Sequence, residues 1–301
     1  MHLISSVTAE GFFLGPFYFY TWGLMAAIGI LAAAKSAKQK FAGKIQLAEK
    51  TGFSENQLWF LTIILTLSVF LGARVLYIFE NWSYYSIDPL SALKIWEGGF
   101  SFSGGALAGI LVGYGWSKLK KFDLFLLGFF YTPAWIYGIF FGRLGCFIIH
   151  DHLGKTTDLP WGIWIQGAYR HEPALYEAIW LLLLGVGLSW WERQDGQPNY
   201  NLPASWPNKR AVSSKKDDLA RKNISFRKIL FPLSLLLYSW GRFFIDFVRA
   251  DDARFYGLTI AQWFCVLLII VSAEIIINTR TYSRRNSSAG SELSRQMARR
   301  D

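Results

Sequence analysis

Five stretches of the chain carry no charged side chain over 18 to 24 residues: 11–34, 56–73, 98–117, 124–142 and 255–273. A helix needs about 20 mostly apolar residues, with a range of about 17 to 25, to cross the hydrocarbon of a bilayer. All five pass. Two further runs, 178–191 and 229–241, hold 14 and 13 uncharged residues and reach spanning length only if Glu177, or Arg242 and Asp246, lie within the membrane region. Only 17% of the 301 residues are charged and 52% are hydrophobic, against about 25% charged in ordinary soluble domains, which excludes a water-soluble globule. The expected fold is an all-α, polytopic integral membrane protein forming one membrane domain over 1–301. Its seven transmembrane helices are expected near 14–34, 57–79, 98–117, 123–142, 174–191, 229–248 and 257–277.

Orientation follows from the distribution of Lys and Arg, which concentrate on the cytoplasmic side of membrane proteins. The connections after spans one, three, five and seven hold 23 of the 31 basic residues. This places the N-terminus outside and the C-terminus in the cytoplasm. The net charge of +10 follows from the same bias and implies anionic lipid as the partner of Lys118 to Lys121, not nucleic acid. Span one lacks a basic leader and is followed by lysines, so it reads as an uncleaved signal-anchor-like segment. The Pro-, Asn- and Ser-rich stretch 193–224 reads as a mobile cytoplasmic loop, and 279–301 as a disordered cytoplasmic tail. Cys146 near the outer surface and Cys265 inside span seven are not expected to form a disulfide, and two cysteines make no metal site by themselves.

Eight basic residues break the bias. Four of them, Arg74, Arg143, Arg242 and Arg249, come from three helices and are expected at one depth in the outer leaflet. Arg242, Asp246 and Arg249 stand at i, i+4 and i+7, one stripe of a helix. Ionisable groups at membrane depth are costly and face protein partners or a ligand. An Arg242–Asp246 pair that only glues helices is one reading; several converging guanidinium forks, which match phosphate geometry, favour an anion site.

The opening of span three, "EGGFSFSGGALAGI", lets a backbone approach a neighbour or ligand closely, and helix packing through small residues explains Gly105 and Gly109 equally well. It is not a P-loop, since no Gly-Lys-Ser/Thr follows. Just past Arg143 come His150, Asp151 and His152, and "RHEPALYEA" brings His171, Tyr176 and Glu177 to the entry of span five. The histidine spacing is not that of intramembrane metalloproteases, so metal ligation by His150, His152 and His171 is disfavoured; a histidine base fits better.

In order along the chain, "GLM" after Trp22, "GGFSFSGG", "GRLGCF" with "GKTTDLPWG", "RHEPALYE", "GRFFIDFVR" and "LTIAQW" resemble the blocks of the prolipoprotein diacylglyceryl transferase family of the bacterial inner membrane. Six blocks in order over most of the chain are specific where any one is weak. The resemblance implies transfer of the diacylglyceryl group from phosphatidylglycerol to the lipobox cysteine of a preprolipoprotein signal peptide, releasing glycerol phosphate at the outer leaflet. It implies Arg143 and Arg242 as holders of the departing phosphate. Trp22, Ser103, Gly104, Gly105, Gly154, His171, Tyr176, Glu177, Asp246 and Arg249 are implied as substrate-binding residues. Displacement by a thiolate needs charge stabilisation and no redox or metal step, so no cofactor is expected.

The chain departs from the family pattern at four places: Ser103 stands where members carry histidine, Trp22 for tyrosine, Cys146 for an asparagine found in many, and Pro173 one place later than in "RHP". Serine does not replace histidine as a base. His150 or His152, oriented by Asp151, is therefore expected to activate the acceptor. The rivals are a phospholipid-binding or transport protein without transferase chemistry, and a related transferase with another donor or acceptor. A transporter would carry its ionisable groups near the midplane, which favours the enzyme.

Overall fold

A computed structural model of the chain describes residues 4–7, 10–14, 17–44, 53–95, 98–194, 209–250 and 254–298. The elements run β1 (Ile4–Val7), β2 (Gly11–Leu14), β3 (Phe17–Tyr20), α1 (Thr21–Gly43), α2 (Glu55–Glu80) and α3 (Trp82–Tyr85). A 3-10 turn (Pro89–Leu93), α4 (Phe102–Lys120) and α5 (Leu124–Ile149) come next, then β4 (Ile163–Ile165), β5 (Ala168–Arg170) and α6 (Pro173–Gln194). The chain closes with α7 (Lys209–Ile245), a 3-10 turn (Asp246–Val248), β6 (Arg254–Phe255), β7 (Leu258–Thr259) and α8 (Ile260–Ala298). β1, β2 and β3 form an antiparallel sheet in that order, and β4–β5 and β6–β7 are two-stranded antiparallel pairs.

Five stretches of helix are long and apolar enough to cross a membrane: Glu55–Glu80, Leu124–Ile149, Pro173–Arg193, Arg227–Val248 and Ile260–Thr281. The protein is a mostly helical membrane protein. Its helices expose many large apolar side chains while burying some polar ones: on α2, Leu67 and Leu71 are 64% and 68% exposed while Arg74 is buried. That pattern suits lipid as the surrounding solvent. The other two expected spans are helical over 21–43 and 102–120 but less apolar, because Lys35, Lys38 and Lys40 enter the first and glycines with Lys118 and Lys120 enter the second. The first helix also begins at Thr21 instead of near residue 14. The aromatic run before it pairs as β2 and β3, as aromatic residues favour, and Gly15 and Pro16 between the two strands are poor helix formers. Of the stretch 193–224, residues 195–208 lie outside the described residues and the backbone from Lys209 is helical; in 279–301 it is helical as far as Ala298.

Two compact units divide the chain, one of Ala34–Leu127 and one of Met1–Ala33 with Gly128–Asp301. In the first, α2 and α4 pack backbone to backbone. A Cβ on Gly104 would collide with the carbonyl of Gly72, and one on Gly105 would lie 3.1 Å from the Val69 carbonyl. Side chains are excluded there by the neighbouring helix, which gives both glycines of the "SGG" block a packing role. Arg74 places all five of its N–H donors on carbonyls of its own unit: Nε on Ala92, Nη1 on Gly98 and Gly99, Nη2 on Ser91 and Lys94. It holds a turn together, and no N–H is left for an anion, which corrects the expectation that four arginines share one anion site.

The second unit is built on α5, α6, α7 and α8. Trp180 donates from its indole to the Leu237 carbonyl at 3.2 Å and lies against Gly241, where any Cβ would strike the ring. α7 and α6 thus approach closely one turn from Arg242 and Glu177.

Candidate active site

Glu177 organises the site. Pro173 opens α6 with the fixed φ and missing N–H that suit a first helical position, and the carboxylate one turn further on is completely buried. Charge at that depth is tolerated only when paired. Tyr238 donates its hydroxyl to Oε1 at 2.6 Å, Arg143 brings Nε to the same oxygen at 3.0 Å, and Arg242 donates Nη1 to Oε2 at 2.8 Å. Arg143 comes from α5 and Arg242 from α7, so one carboxylate fixes guanidinium groups from two helices.

The network continues along α7. Arg242 places Nη2 3.2 Å from Asp246 Oδ1, and Arg249 Nε lies 3.9 Å from the same atom. Thr259 donates its hydroxyl to Asp246 Oδ2. Thr259 is itself fixed by reciprocal bonds with Gln262, 2.9 Å from the Thr259 N–H to Oε1 and 3.1 Å from the Gln262 N–H to Oγ1. This is a capping box at the start of α8, so the opening of that helix positions Asp246. Three guanidinium charges stand against two buried carboxylates, leaving one positive charge in excess. The two Nη groups of Arg143 have no acceptor among the described residues and are not among the fully buried unpartnered atoms.

Beyond the network lie the histidines. Arg249 Nη2 lies 3.2 Å from His152 Nδ1 and donates to it, and His152 Nε2 sits 3.6 Å from Asp151 Oδ2. Burial, aided by the Arg249 charge, pushes the His152 ring down to about 4 and keeps it neutral. Its Nδ1 lone pair is already used. His150 occupies the left-handed position after α5, φ 50°, where the chain turns back with its N–H on the Phe147 carbonyl and the Asp151 N–H on Cys146 O. Its Nδ1 lies 3.0 Å from Oε2 of the buried Glu172. Burial raises the Glu172 carboxyl above the usual carboxylate range, with the His150 ring opposing. His150 therefore pairs with Glu172, whereas His152 has the expected Asp151 beside its Nε2 and Arg249 on its Nδ1.

The remaining expected residues fall as follows. Gly154 lies in a central strand-like segment bridged to Arg249 on one side, with Lys155 donating to the Val248 carbonyl at 2.7 Å and accepting from the His171 N–H at 3.0 Å. A Cβ there would strike the His171 backbone, so only glycine fits. His171 Nδ1 pairs with the Tyr176 hydroxyl at 3.0 Å. Trp22 lies against Gly145 of α5, where a Cβ would fall 3.2 Å from its ring. Ser103 lies in the first turn of α4, in the other unit, and its side chain is outside the described residues. Among the described residues, one metal-capable group appears: Cys146, Asp151 and His152.

Four participants escaped the sequence reading: Glu172, Tyr238, Thr259 and Gln262. Tyr238 stands four residues before Arg242 on the stripe already identified, and T-x-x-Q in "LTIAQW" has the spacing of a capping box. Glu172 is the extra residue that displaces Pro173.

Fold and site together define a class, the multi-pass membrane protein with an arginine–carboxylate centre buried among its helices. The family model for prolipoprotein diacylglyceryl transferase matches residues 10–205 and 212–278, and the chain belongs to that family. The phosphatidylglycerol–prolipoprotein diacylglyceryl transferase of Methylococcus capsulatus is 29% identical over 283 residues, 91% of this chain and 95% of the relative. That of Geobacter sulfurreducens is 38% identical over 186 residues, 58% of this chain and 70% of the relative. That of Staphylococcus aureus is 26% identical over 287 residues, 89% of this chain and 88% of the relative.

Proposed function

We propose that this chain transfers the diacylglyceryl group of phosphatidylglycerol to the lipobox cysteine of preprolipoproteins, in lipoprotein maturation. The acceptor sulfur forms a bond to the glyceryl carbon, the bond from that carbon to the phosphate oxygen breaks, and glycerol phosphate leaves. The leaving group departs only if its charge is held. The observation that carries the reading is Arg143: Glu177 pairs with its Nε, and its two Nη groups have no acceptor among the described residues, which supports a role in binding the phosphate. Arg242, tied to Glu177 and Asp246, supports the same charge. A free thiol ionises near 8.5, so the acceptor needs a base, and His150 held by Glu172 fits that role.

The seven-span topology, with the N-terminus outside, belongs to this reading: 21–43 and 102–120 cross with the five more apolar helices. The protein then resides in the bacterial inner membrane with the site toward the outer leaflet, where lipid phosphate and a translocated signal peptide meet. The direct test supplies purified protein with phosphatidylglycerol labelled in its acyl chains and a lipobox peptide, beside Arg143→Ala and Arg242→Ala. Label in a thioether-linked peptide with the parent, and its loss in both variants, is expected. A parent that binds phosphatidylglycerol without transfer would favour the lipid-binding alternative, with Ser103 in place of histidine as the reason.

A further inference from the structure

Cys146 Sγ, an Asp151 carboxylate oxygen and a His152 ring nitrogen lie within 4.8 Å of one another. The end of α5 brings them together. The left-handed turn at His150 folds the chain back, so that the Asp151 N–H bonds the Cys146 carbonyl at 3.1 Å and side chains five and six residues apart converge. We propose that these three residues bind one zinc-class divalent cation, and that this cation competes with Arg249 for His152.

The donor set decides the class of ion. One sulfur, one imidazole nitrogen and one carboxylate oxygen suit zinc or cadmium, whereas magnesium and calcium take oxygen ligands. Tetrahedral coordination with bonds of about 2.0 to 2.3 Å places ligand atoms about 3.3 to 3.8 Å apart. The present separations need to close by about 1 Å, and the half-exposed Asp151 side chain is free to supply the shift. Three protein ligands leave a fourth position open, as in catalytic zinc sites.

Competition with Arg249 follows from the chemistry of the ring. Arg249 Nη2 donates to His152 Nδ1 at 3.2 Å. A cation on Nδ1 takes that lone pair directly. A cation on Nε2 moves the ring proton to Nδ1, which then faces another donor. Either way the Arg249 hydrogen bond is lost when the cation binds, so occupancy of the site and the Arg249–His152 contact exclude one another. The inference does not rest on the transferase reading, since binding is measured without turnover.

The test uses the full-length protein in detergent, stripped with EDTA and titrated with zinc or cadmium by equilibrium dialysis and metal analysis. The cadmium–thiolate charge-transfer band serves as a second readout, and transfer activity is assayed on the same preparation. One equivalent is expected, with a thiolate band. Cys146→Ser should abolish the band and weaken binding at least about tenfold, and Arg249→Met should tighten it several-fold. Thermal unfolding of Cys146→Ser and of Cys146→Asn separates lost ligation from lost fold. An active parent that binds no cation, or folded Cys146 variants that bind as the parent does, would overturn the site. Unchanged or weaker binding in Arg249→Met would overturn the competition. An inactive parent that binds one equivalent would leave the cation site standing and refute the transferase reading instead.

Discussion

Glu177→Gln is the substitution that probes the network most deeply, because it keeps the volume and removes only the charge. Glu177 accepts from Tyr238 at 2.6 Å and from Arg242 at 2.8 Å, and pairs with Arg143 at 3.0 Å. Glutamine offers one oxygen and one NH2 group to three donors, so at least one contact becomes donor against donor. Arg143 loses its charged partner and Arg242 keeps only Asp246. Removing one member of a buried ion pair costs about 3 to 5 kcal/mol. At about 2 to 4 °C per kcal/mol for a chain of this order of size, Tm in detergent micelles should fall by about 6 to 20 °C. Tyr238→Phe is the internal comparison. It removes one hydrogen bond to a charged acceptor, about 1.5 to 3 kcal/mol, and leaves both arginines paired, so its Tm should lie between the two. A Glu177→Gln protein within about 2 °C of the parent, or less affected than Tyr238→Phe, would refute the view that this carboxylate holds the arginines in place.

Further outcomes follow from other parts of the structure. Glu172 titrates above its ordinary 4.5 in the folded chain. The fold therefore binds the proton more tightly than the unfolded chain, and the group's contribution to stability falls as pH rises from 4.5 through the folded value. Glu172→Gln should flatten that part of the Tm–pH profile while lowering kcat by about 10²-fold or more through loss of the His150 orienter; an unchanged kcat would exclude the dyad. Gly154→Ala forces the 153–157 segment away from His171, so lowered Tm and lowered transfer are expected together, and a neutral substitution would show that the segment yields freely. Arg74→Met removes five bonds to carbonyls within residues 34–127, so it should lower Tm while leaving the KM for phosphatidylglycerol unchanged; a raised KM would return Arg74 to the head-group site.

Much of the site was legible because spacing along a helix is local information. The Arg242–Asp246–Arg249 stripe survives even though the helix gives way to a 3-10 turn at Asp246, since the first two still meet at 3.2 Å. Arg74 misled because sequence shows an arginine at membrane depth but not the five carbonyls of a loop some 20 residues away that absorb it. The orienter of His150 was invisible for a related reason: Asp151 is adjacent in sequence, but the left-handed turn at His150 directs the ring to Glu172, 22 residues on. The start of α1 was misplaced because an uncharged aromatic run satisfies the length criterion for a span while its residues pair as strands. Glu177 was marked in the sequence by its depth and by the family resemblance, but its pairing with Arg143 and Arg242 was not, because the sequence does not show their helices to be neighbours of its own.

In the proposed reaction, the Nη donors of Arg143 bind the phosphate more strongly as it departs than in the bound lipid. Steady-state kinetics of Arg143→Lys, with phosphatidylglycerol varied at saturating lipobox peptide, tests this. Lysine keeps the charge but cannot give Nε to Glu177 while presenting two further groups to the phosphate. Loss of a preorganised donor costs about 10² to 10³ in turnover. A fall of that size in kcat, with KM for phosphatidylglycerol changed little, is the predicted result; a kcat equal to the parent's, or a defect confined to KM, would contradict it.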